Sequence, residues 1–361
     1  MKKLLLVGGG HAHLHIIKML EKESLVNTEI TLISPSRFHY YSGMFSGFTE
    51  GLYSEEEIRI DLKKLAEKAA VNWIEAAVLS VDPEQKMVLT TLGDVLTYDV
   101  LSFDIGSLTA GTDLQGVLEH VKCVKPNYQF SETIKHIREK ENIVVVGGGA
   151  AGVEISLSLA AYRKHNKING SITLVSSSEL LPEEQNQTVN KITKLVKEKG
   201  VRLLTNKKIN KVTEKHLHAA GGEAILYDEV LWLAGPKAPK IFQVSNLPTD
   251  ENGYLLVENT LQVKKYPSIF GTGDCAALNN YPSLPKTGVY AVREAPVLYR
   301  NIKGFLTDGA GEYFKPQKDF LSILSIGNRE GFLLYKGRAF HGKWAWLLKN
   351  KIDKRFIKPY Q

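Results

Sequence analysis

The feature that most constrains this chain is a glycine-rich turn that occurs twice, each time between a short apolar segment and a helical pattern. Residues 3–7 precede Gly-Gly-Gly-His-Ala-His at residues 8–13, and residues 143–146 precede Gly-Gly-Gly-Ala-Ala-Gly at residues 147–152. Each copy then reaches a β-branched segment, Ile-Thr-Leu-Ile or Ile-Thr-Leu-Val. Strand, turn, helix and strand form a βαβ unit. The sequence therefore predicts an α/β protein with two Rossmann-like dinucleotide-binding folds.

Each glycine of such a turn has its own physical task. The first allows the tight turn, the second lets the backbone approach a diphosphate, and the third lets the helix pack close to the strand. The N–H groups at the helix N-terminus then bind the phosphates. In the second copy Gly147, Gly149 and Gly152 fill all three positions, so this copy predicts a complete dinucleotide site.

The first copy departs from the pattern at its third position. Gly8 and Gly10 are present, but His13 stands where the third glycine belongs. Two alternatives stay open: the imidazole fills a gap near the phosphates, or it is an ordinary packed or capping histidine. His11, His13 and His15 alternate, and their i, i+2 spacing puts them on different helix faces, so no metal site is predicted.

Both copies lack the acidic residue that would bind a ribose 2′-hydroxyl after the second strand. Ser34 and Ser176 occupy those positions. The choice between NADH and NADPH is therefore open, and the absence of an Arg directly after Ser176 favours NADH.

A third signal lies at residues 268–277. This segment predicts a strand that ends in a small-residue turn, with Gly273 and Asp274 before a helical pattern. Such an Asp can bond a sugar-like hydroxyl chain, although it could also be an ordinary helix N-cap. Following two dinucleotide folds, it indicates FAD as a cofactor.

Together these segments resemble the pyridine nucleotide-disulfide oxidoreductase superfamily over nearly the whole chain. Within it, the resemblance is closest to type II NADH dehydrogenases, the non-pumping NADH:quinone reductases. The chain looks closer still to the flavoprotein module sometimes fused to selenide, water dikinase, although no kinase domain is present. The segments that carry this last similarity are residues 10–14, 41–44, 124–126 and 285–293.

The resemblance implies where the cofactors bind. The residues implied for FAD are Gly8, Gly10, His11, Ala12, His13, Gly273 and Asp274, and those implied for NAD(P)H are Gly147, Gly149 and Gly152. Gly235 is also implied to be a cofactor-binding residue. Asp104 opens a segment, Asp-Ile-Gly-Ser, that stands where relatives have Ala-Thr-Gly near the flavin. This is a departure from the family pattern.

The electron acceptor separates the branches of this superfamily. Disulfide and sulfide chemistry needs paired cysteines beside the flavin, whereas Cys123 and Cys275 are the only two in the chain and lie far apart. The quinone reductases have a Glu matching Glu154 near the flavin and the acceptor region, with an exposed helix-end Glu as the alternative. Lys286 would stabilise a reduced flavin, unless it is a surface lysine.

The quinone reductases often show Ala-Gln-x-Ala-x-Gln in the helix after Lys286. Here the corresponding segment reads Gly-Val-Tyr-Ala-Val-Arg, so both glutamines are absent. Tyr290 and Arg293 are the acceptor-site candidates instead. Alternative functions are a soluble flavoprotein reductase with a non-quinone acceptor, including one linked to selenium metabolism, and a flavin-binding protein with little turnover.

The pattern divides the chain into a discontinuous FAD-binding domain (1–122 and 255–325), an NAD(P)H-binding domain (123–254) and a basic amphipathic segment (326–361). From Lys336 onwards there are eight Lys and Arg residues and one Asp. This segment therefore has a net charge of +7, which is also the net charge of the whole chain. A neutral main body argues against nucleic-acid binding.

The C-terminal segment predicts a helix with an apolar stripe at i, i+4 spacing, formed by Trp344, Leu348, Ile352 and Phe356. A basic helix of this kind suits an anionic membrane surface, and packing on the core or a homodimer contact are the alternatives. No segment approaches the roughly 18 apolar residues of a membrane span. We therefore expect a cytoplasmic protein, peripheral on the cytoplasmic face of the membrane.

Overall fold

A computed structural model describes residues 1–307 and 309–361. Within them the chain alternates strands and helices, as the βαβ pattern predicts. The strands are β1 (Lys2–Val7), β2 (Thr28–Ser34), β3 (Phe38–Tyr40), β4 (Arg59–Asp61), β5 (Asn72–Glu75), β6 (Val78–Asp82), β7 (Met87–Thr90), β8 (Val95–Thr97), β9 (Val100–Phe103), β10 (Leu108–Thr109), β11 (Lys122–Cys123), β12 (Asn142–Val146), β13 (Ser171–Val175), β14 (Arg202–Leu204), β15 (Ile209–Val212), β16 (His216–Ala219), β17 (Ala224–Leu226), β18 (Glu229–Trp232), β19 (Pro236–Lys237), β20 (Leu255–Val257), β21 (Gln262–Val263), β22 (Tyr266–Gly271), β23 (Ala276–Leu278), β24 (Ser322–Ser325), β25 (Gly331–Tyr335) and β26 (Arg338–Gly342).

The α-helices are α1 (His11–Leu20), α2 (Phe45–Glu50), α3 (Glu55–Ile58), α4 (Leu62–Lys68), α5 (Val117–His120), α6 (Phe130–Ile137), α7 (Ala150–Asn166), α8 (Asn186–Glu198), α9 (Ile241–Val244), α10 (Gly288–Leu306) and α11 (Lys343–Ile357). Short 3-10 helices lie at Ser42–Met44, Asn127–Gln129, Gly273–Cys275 and Lys358–Tyr360. No helix among the described residues is long and apolar enough to cross a membrane.

Two sheets hold the two glycine turns. The first has the strand order β21-β22-β9-β1-β2-β5, and the second has the order β11-β18-β12-β13-β14. β1 pairs in parallel with β2 and β9, and β12 pairs in parallel with β13 and β18. Helices over such sheets bury apolar strands on both faces, and accordingly Leu4 and Leu6 of β1 and Ile143 and Val145 of β12 are inaccessible to solvent.

Both glycine turns leave the middle strand of their sheet at its carboxyl end. Parallel strands end at the same edge of a sheet, and this edge is where α/β proteins bind ligands. The predicted α/β class with two Rossmann-like folds is confirmed. The domain boundaries given above stay a prediction.

Together with β24, which precedes it, the C-terminal segment forms a three-stranded antiparallel sheet, β24-β25-β26, on which α11 packs. Ala345, Trp346 and Ile357 of α11 are buried, whereas Trp344, Leu347 and Ile352 are exposed. The helix forms where the sequence predicts one, but the i, i+4 stripe does not act as a single face. One side of α11 packs on the protein, and another side carries apolar groups in solvent.

Candidate active site

The second glycine turn is open towards a cavity. Gly147 adopts a left-handed conformation with φ +134°, and a Cβ on Gly152 would lie 1.8 Å from the carbonyl oxygen of Gly147. Only glycine therefore lets α7 pack directly on the turn. A Cβ on Gly149 would meet no atom within 4 Å, so the backbone at this position faces free space that a diphosphate can enter.

The first turn has the same backbone course but a different lining. Gly8 has φ +94°, and the N–H of Gly10 donates to the Asp104 carbonyl at 3.1 Å. The Asp104 carboxylate fills the space beside Gly10, where a Cβ would lie 2.1 Å from Oδ1. Its Oδ2 accepts hydrogen bonds from the N–H groups of Ala12 (2.7 Å) and His13 (3.1 Å).

The surroundings of the His13 ring decide between the two alternatives that the sequence left open. The ring is fully buried, with Nδ1 2.6 Å from the Gly8 carbonyl oxygen and Nε2 2.8 Å from Ser102 Oγ. Because a carbonyl only accepts, Nδ1 is the donor and Nε2 accepts from the serine hydroxyl. The side chain of His13 therefore supports the turn through its two hydrogen bonds. The N–H groups of Ala12 and His13 bind Asp104, and the assignment of both residues to the cofactor site stays a prediction.

The main cavity has a volume of about 710 Å³ and joins the two halves of the protein. The second glycine turn, Gly235 and the segment Ser176–Ser178 line one side of it. Glu154, Lys286 and Asp274, which the sequence singles out, line the same cavity. A second cavity lies beside the first turn, with Gly10 and His11 in its wall. The residues that line both cavities are Ser42, Asn127 and Asp274.

Asp274 lies at the junction of the two cavities. Its Oδ2 accepts from Ser107 Oγ at 3.4 Å and lies 3.5 Å from Lys125 Nζ, and Lys125 also donates to Ser107. The N–H of Gly273, which has φ +66°, donates to the buried Glu294 carboxylate at 2.7 Å. This contact fixes the turn that presents Asp274.

Lys286 is a partly buried cation and not a surface lysine. Its Nζ donates to the Ala276 carbonyl and lies 4.3 Å from the centre of the Tyr254 ring. Burial lowers its pKa, against the attraction of nearby acids that include Asp274. A positive charge therefore faces the cavity beside the Asp274 carboxylate.

Glu154 is held from two other elements and is not an exposed helix-end residue. Its Oε1 accepts from Ser46 Oγ of α2 at 3.1 Å and from the N–H of Ser325 in β24 at 2.7 Å. Burial raises its pKa. A raised pKa lets this carboxyl group hold a proton closer to neutral pH than an ordinary Glu does.

The C-terminal helix contributes a buried ion pair near Glu154. Lys349 Nζ lies 2.8 Å from Asp353 Oδ2, and Tyr41 donates to the other oxygen of Asp353 at 3.1 Å. Burial alone would lower the pKa of Lys349, but Asp353 and Glu154 together raise it. Sequence reasoning missed the contact of Tyr41 with this pair, because more than 300 residues separate Tyr41 from Asp353.

The two acceptor-site candidates do not lie in either cavity. Tyr290 is buried in the core, 5.7 Å from the ring of Phe320, and Arg293 is exposed on α10. Gly288 and Ala291 of the same helix line the second cavity, and the assignment of Tyr290 and Arg293 to the acceptor site stays a prediction. Phe45 and Ser46 of α2 line the main cavity instead.

Comparison with known proteins gives a consistent result. Residues 2–295 match the family described as pyridine nucleotide-disulphide oxidoreductase. A type II NADH:quinone oxidoreductase of Staphylococcus aureus is 26% identical, over 99% of this chain and 95% of that protein.

Two solved structures share the fold. NDH2 of Plasmodium falciparum, in complex with NADH, superposes with a TM-score of 0.81 at 17% identity and covers 99% of this chain and 98% of its own. The sulfide:quinone oxidoreductase of Aquifex aeolicus gives 0.83 at 20% identity, covering 99% and 91%.

Proposed function

The chain belongs to the pyridine nucleotide-disulphide oxidoreductase family, and on that premise we propose that it is an NADH:quinone oxidoreductase that works at a membrane surface. It is an FAD-dependent NADH oxidoreductase, with FAD and NADH as its cofactors. When bound, FAD accepts a hydride from NADH and passes two electrons to the acceptor. The acceptor and the site residues are the parts of this function that we propose.

The second glycine turn fits the diphosphate of NADH, because the backbone at Gly149 faces open space and α7 points its N-terminus there. The cavity continues past Ser176–Ser178 and Lys207. Lys207 is paired with Glu223 at 2.7 Å. A carboxylate beside this lysine disfavours an additional 2′-phosphate, which supports NADH over NADPH.

The second cavity fits the nucleotide part of FAD. His11 Nδ1 and His39 Nε2 are buried beside it and, among the described residues, have no hydrogen-bond partner. Such nitrogens are costly unless a polar group satisfies them, and a bound nucleotide can supply one. Asp274, at the junction, would bind the hydroxyl chain that leads to the flavin.

The acid–base groups of the main cavity support a quinone acceptor. Reducing a quinone to a hydroquinone takes two electrons and two protons. The hydride of NADH supplies both electrons and one proton, and an acid at the acceptor can deliver the second proton from solvent. Glu154 is that acid in our proposal, since burial raises its pKa and its two hydrogen bonds fix its direction. Lys286 would offset the negative charge that reduction places in the cavity.

Disulfide or sulfide chemistry has less support. Cys275 is fully buried and its thiol donates to the Thr272 carbonyl at 3.2 Å. Burial raises its pKa to about 12, so it stays a thiol at neutral pH. A reactive cysteine needs the thiolate form and access to its partner, and Cys275 has neither.

One observation carries the proposal: a single cavity is lined by the NADH turn on one side and by Glu154 and Asp274 on the others. The test is steady-state NADH oxidation with a panel of quinones and soluble acceptors. We expect quinones to be reduced, and Glu154→Gln to lower quinone-dependent kcat by about 100-fold. Glu198→Gln, an exposed change on α8, is the control. Rapid flavin reduction by NADH without any quinone turnover would contradict the proposal.

Membrane binding rests on the exposed side of α11. Trp344 and Leu347 are 53% and 60% exposed and lie among basic residues, a combination that suits an anionic lipid surface. Deleting α11 would also remove core packing, so substitutions are the sharper test. Trp344→Glu with Leu347→Glu should abolish co-sedimentation with anionic vesicles, whereas the equally exposed pair Leu226→Glu with Val244→Glu should not. Equal binding of both variants would contradict the proposal.

A further inference from the structure

Asp104 occupies the place at the first turn that stays open at the second. Its carboxylate is 4% exposed, lies against Gly10, and accepts the N–H groups of Ala12 and His13 at the beginning of α1. At the second turn the corresponding space, beside Gly149, is free of protein atoms. An acidic side chain thus binds the helix N-terminus where a cofactor diphosphate is expected.

A carboxylate and a diphosphate cannot share this site without a cost. Both are anions, and both seek the same positive end of α1 and the same N–H donors. Like charges at close range disfavour the ionised form of the weaker acid. The carboxyl group of Asp104 is the weaker acid, because the diphosphate of a dinucleotide is fully ionised at neutral pH.

The charged groups around Asp104 also favour the protonated form of its carboxyl group. Asp274 and Glu294 face it from the Gly273–Cys275 turn and from α10, and both disfavour its ionised form. Cys275 is a neutral thiol, and the His13 ring, uncharged because burial lowers its pKa to about 4, faces Ser102 and Gly8. Lys286 interacts with Asp274 and Glu294. Burial raises the pKa of Asp104 to about 7 against the two backbone hydrogen bonds that lower it.

We propose that Asp104 binds one proton when FAD binds, so that its carboxyl group donates a hydrogen bond to the diphosphate instead of repelling it. The inference rests on FAD as the cofactor of this site. The proton comes from solvent and ends on a carboxyl oxygen of Asp104. Below neutral pH the acid already holds its proton, and above neutral pH FAD must bind together with one, so the affinity falls as pH rises.

The test is calorimetric titration of FAD into the full chain after its FAD has been removed, in two buffers of different ionisation enthalpy. The difference between the buffers gives the protons taken up per FAD. We expect about one proton at pH 8.5, close to none at pH 6, and a Kd that rises about tenfold per pH unit above neutrality. Binding without proton uptake across this range would overturn the proposal.

Two variants locate the proton. Asp104→Asn keeps the size and the acceptor oxygen for Ala12 and His13 but cannot titrate, so its uptake should vanish and its Kd at pH 8.5 should be lower than that of the wild type. Glu294→Gln is the matched control, since this acid is also buried and hydrogen-bonded, to Thr272 Oγ1 at 2.6 Å. It should keep the uptake, and the uptake should begin at lower pH, because the Glu294 charge raises the pKa of Asp104 and its removal lets Asp104 ionise at lower pH.

Uptake that survives in Asp104→Asn, or that disappears in Glu294→Gln, would assign the proton to another group and overturn the proposal. None of these readouts involves NADH or a quinone. A protein that fails to reduce quinones but binds FAD with one proton would contradict the proposed acceptor alone, and the reverse result would contradict the role of Asp104 alone.

Discussion

The two glycine turns have the same order of strand, turn and helix, yet they use opposite means to bring the helix to the strand. At the second turn Gly152 has no side chain, and α7 rests directly on the carbonyl of Gly147. At the first turn His13 occupies that position and hydrogen-bonds the equivalent carbonyl, that of Gly8, at 2.6 Å. A missing side chain and a satisfied polar one therefore solve the same packing problem.

The turns also differ in what faces the helix N-terminus. The second opens on the main cavity, whereas the first is occupied by Asp104. This difference shows that a glycine pattern predicts the course of the backbone, but not which charged side chain lies beside the turn. Substitutions at the two turns should therefore have different effects.

The largest effect is expected at Gly152. Gly152→Ala puts a Cβ 1.8 Å from a backbone oxygen that cannot move without the turn, and should lower the free energy of unfolding by about 3 kcal/mol. Urea unfolding measures this. Gly149→Ala, in open space with an ordinary φ of −75°, should change it by less than about 0.5 kcal/mol. Equal losses would show that the two glycines do not have separate tasks.

A smaller loss is expected at the first turn. His13→Ala leaves the Gly8 carbonyl and Ser102 Oγ without their buried partner and opens a cavity, which should destabilise the protein by about 2 kcal/mol. His15→Ala on the same helix, where the ring is only partly buried, serves as the control in the same unfolding experiment. A neutral His13→Ala would mean that the imidazole does not hold the turn.

The open turn should show its effect in binding. Gly149→Ala narrows the approach of a diphosphate without disturbing the fold, so KM for NADH should rise about tenfold, which corresponds to about 1.4 kcal/mol. FAD content should stay unchanged. The check is steady-state kinetics with flavin quantified per chain, and an unchanged KM would place the NADH diphosphate elsewhere.

The first turn should also be the more sensitive to acid. Burial lowers the pKa of His13 from 6.5 to about 4, so the folded state favours the neutral ring. The resulting stability is complete above pH 6.5 and is lost as pH falls from there towards 4, by on the order of 1 kcal/mol at about pH 5.5.

His13→Gln, which cannot gain this charge, should lose less stability than the wild type between pH 7 and about pH 5. Urea midpoints at several pH values measure the difference. Parallel curves for the two proteins would indicate that His13 is not kept neutral in the fold.

Much of this architecture could be predicted from local patterns. Both βαβ units are visible because a strand, a glycine turn and a helix are adjacent in sequence. Glu154, Lys286 and Asp274, which the sequence singles out, line one cavity, and their roles stay a prediction. The contact between Asp104 and α1 could not be predicted, since Asp104 follows β9 and lies more than 90 residues from the start of α1 in sequence.

The sequence also could not predict in which direction individual side chains point. Tyr290 and Arg293 lie on α10, and two other residues of this helix, Gly288 and Ala291, line the second cavity. Periodicity alone does not determine which face of α10 points towards that cavity. In α11 the apolar residues divide between a packed side and an exposed side. Only the position of the sheet β24-β25-β26 decides that division.

The central claim is that two nucleotides bound at the two turns bring their reactive rings together in one cavity. Anaerobic rapid mixing of the flavin-loaded protein with NADH tests it most directly. We expect the yellow flavin absorbance to bleach within seconds, and Gly149→Ala to need more NADH for the same rate. A flavin that stays oxidised in excess NADH would contradict the account.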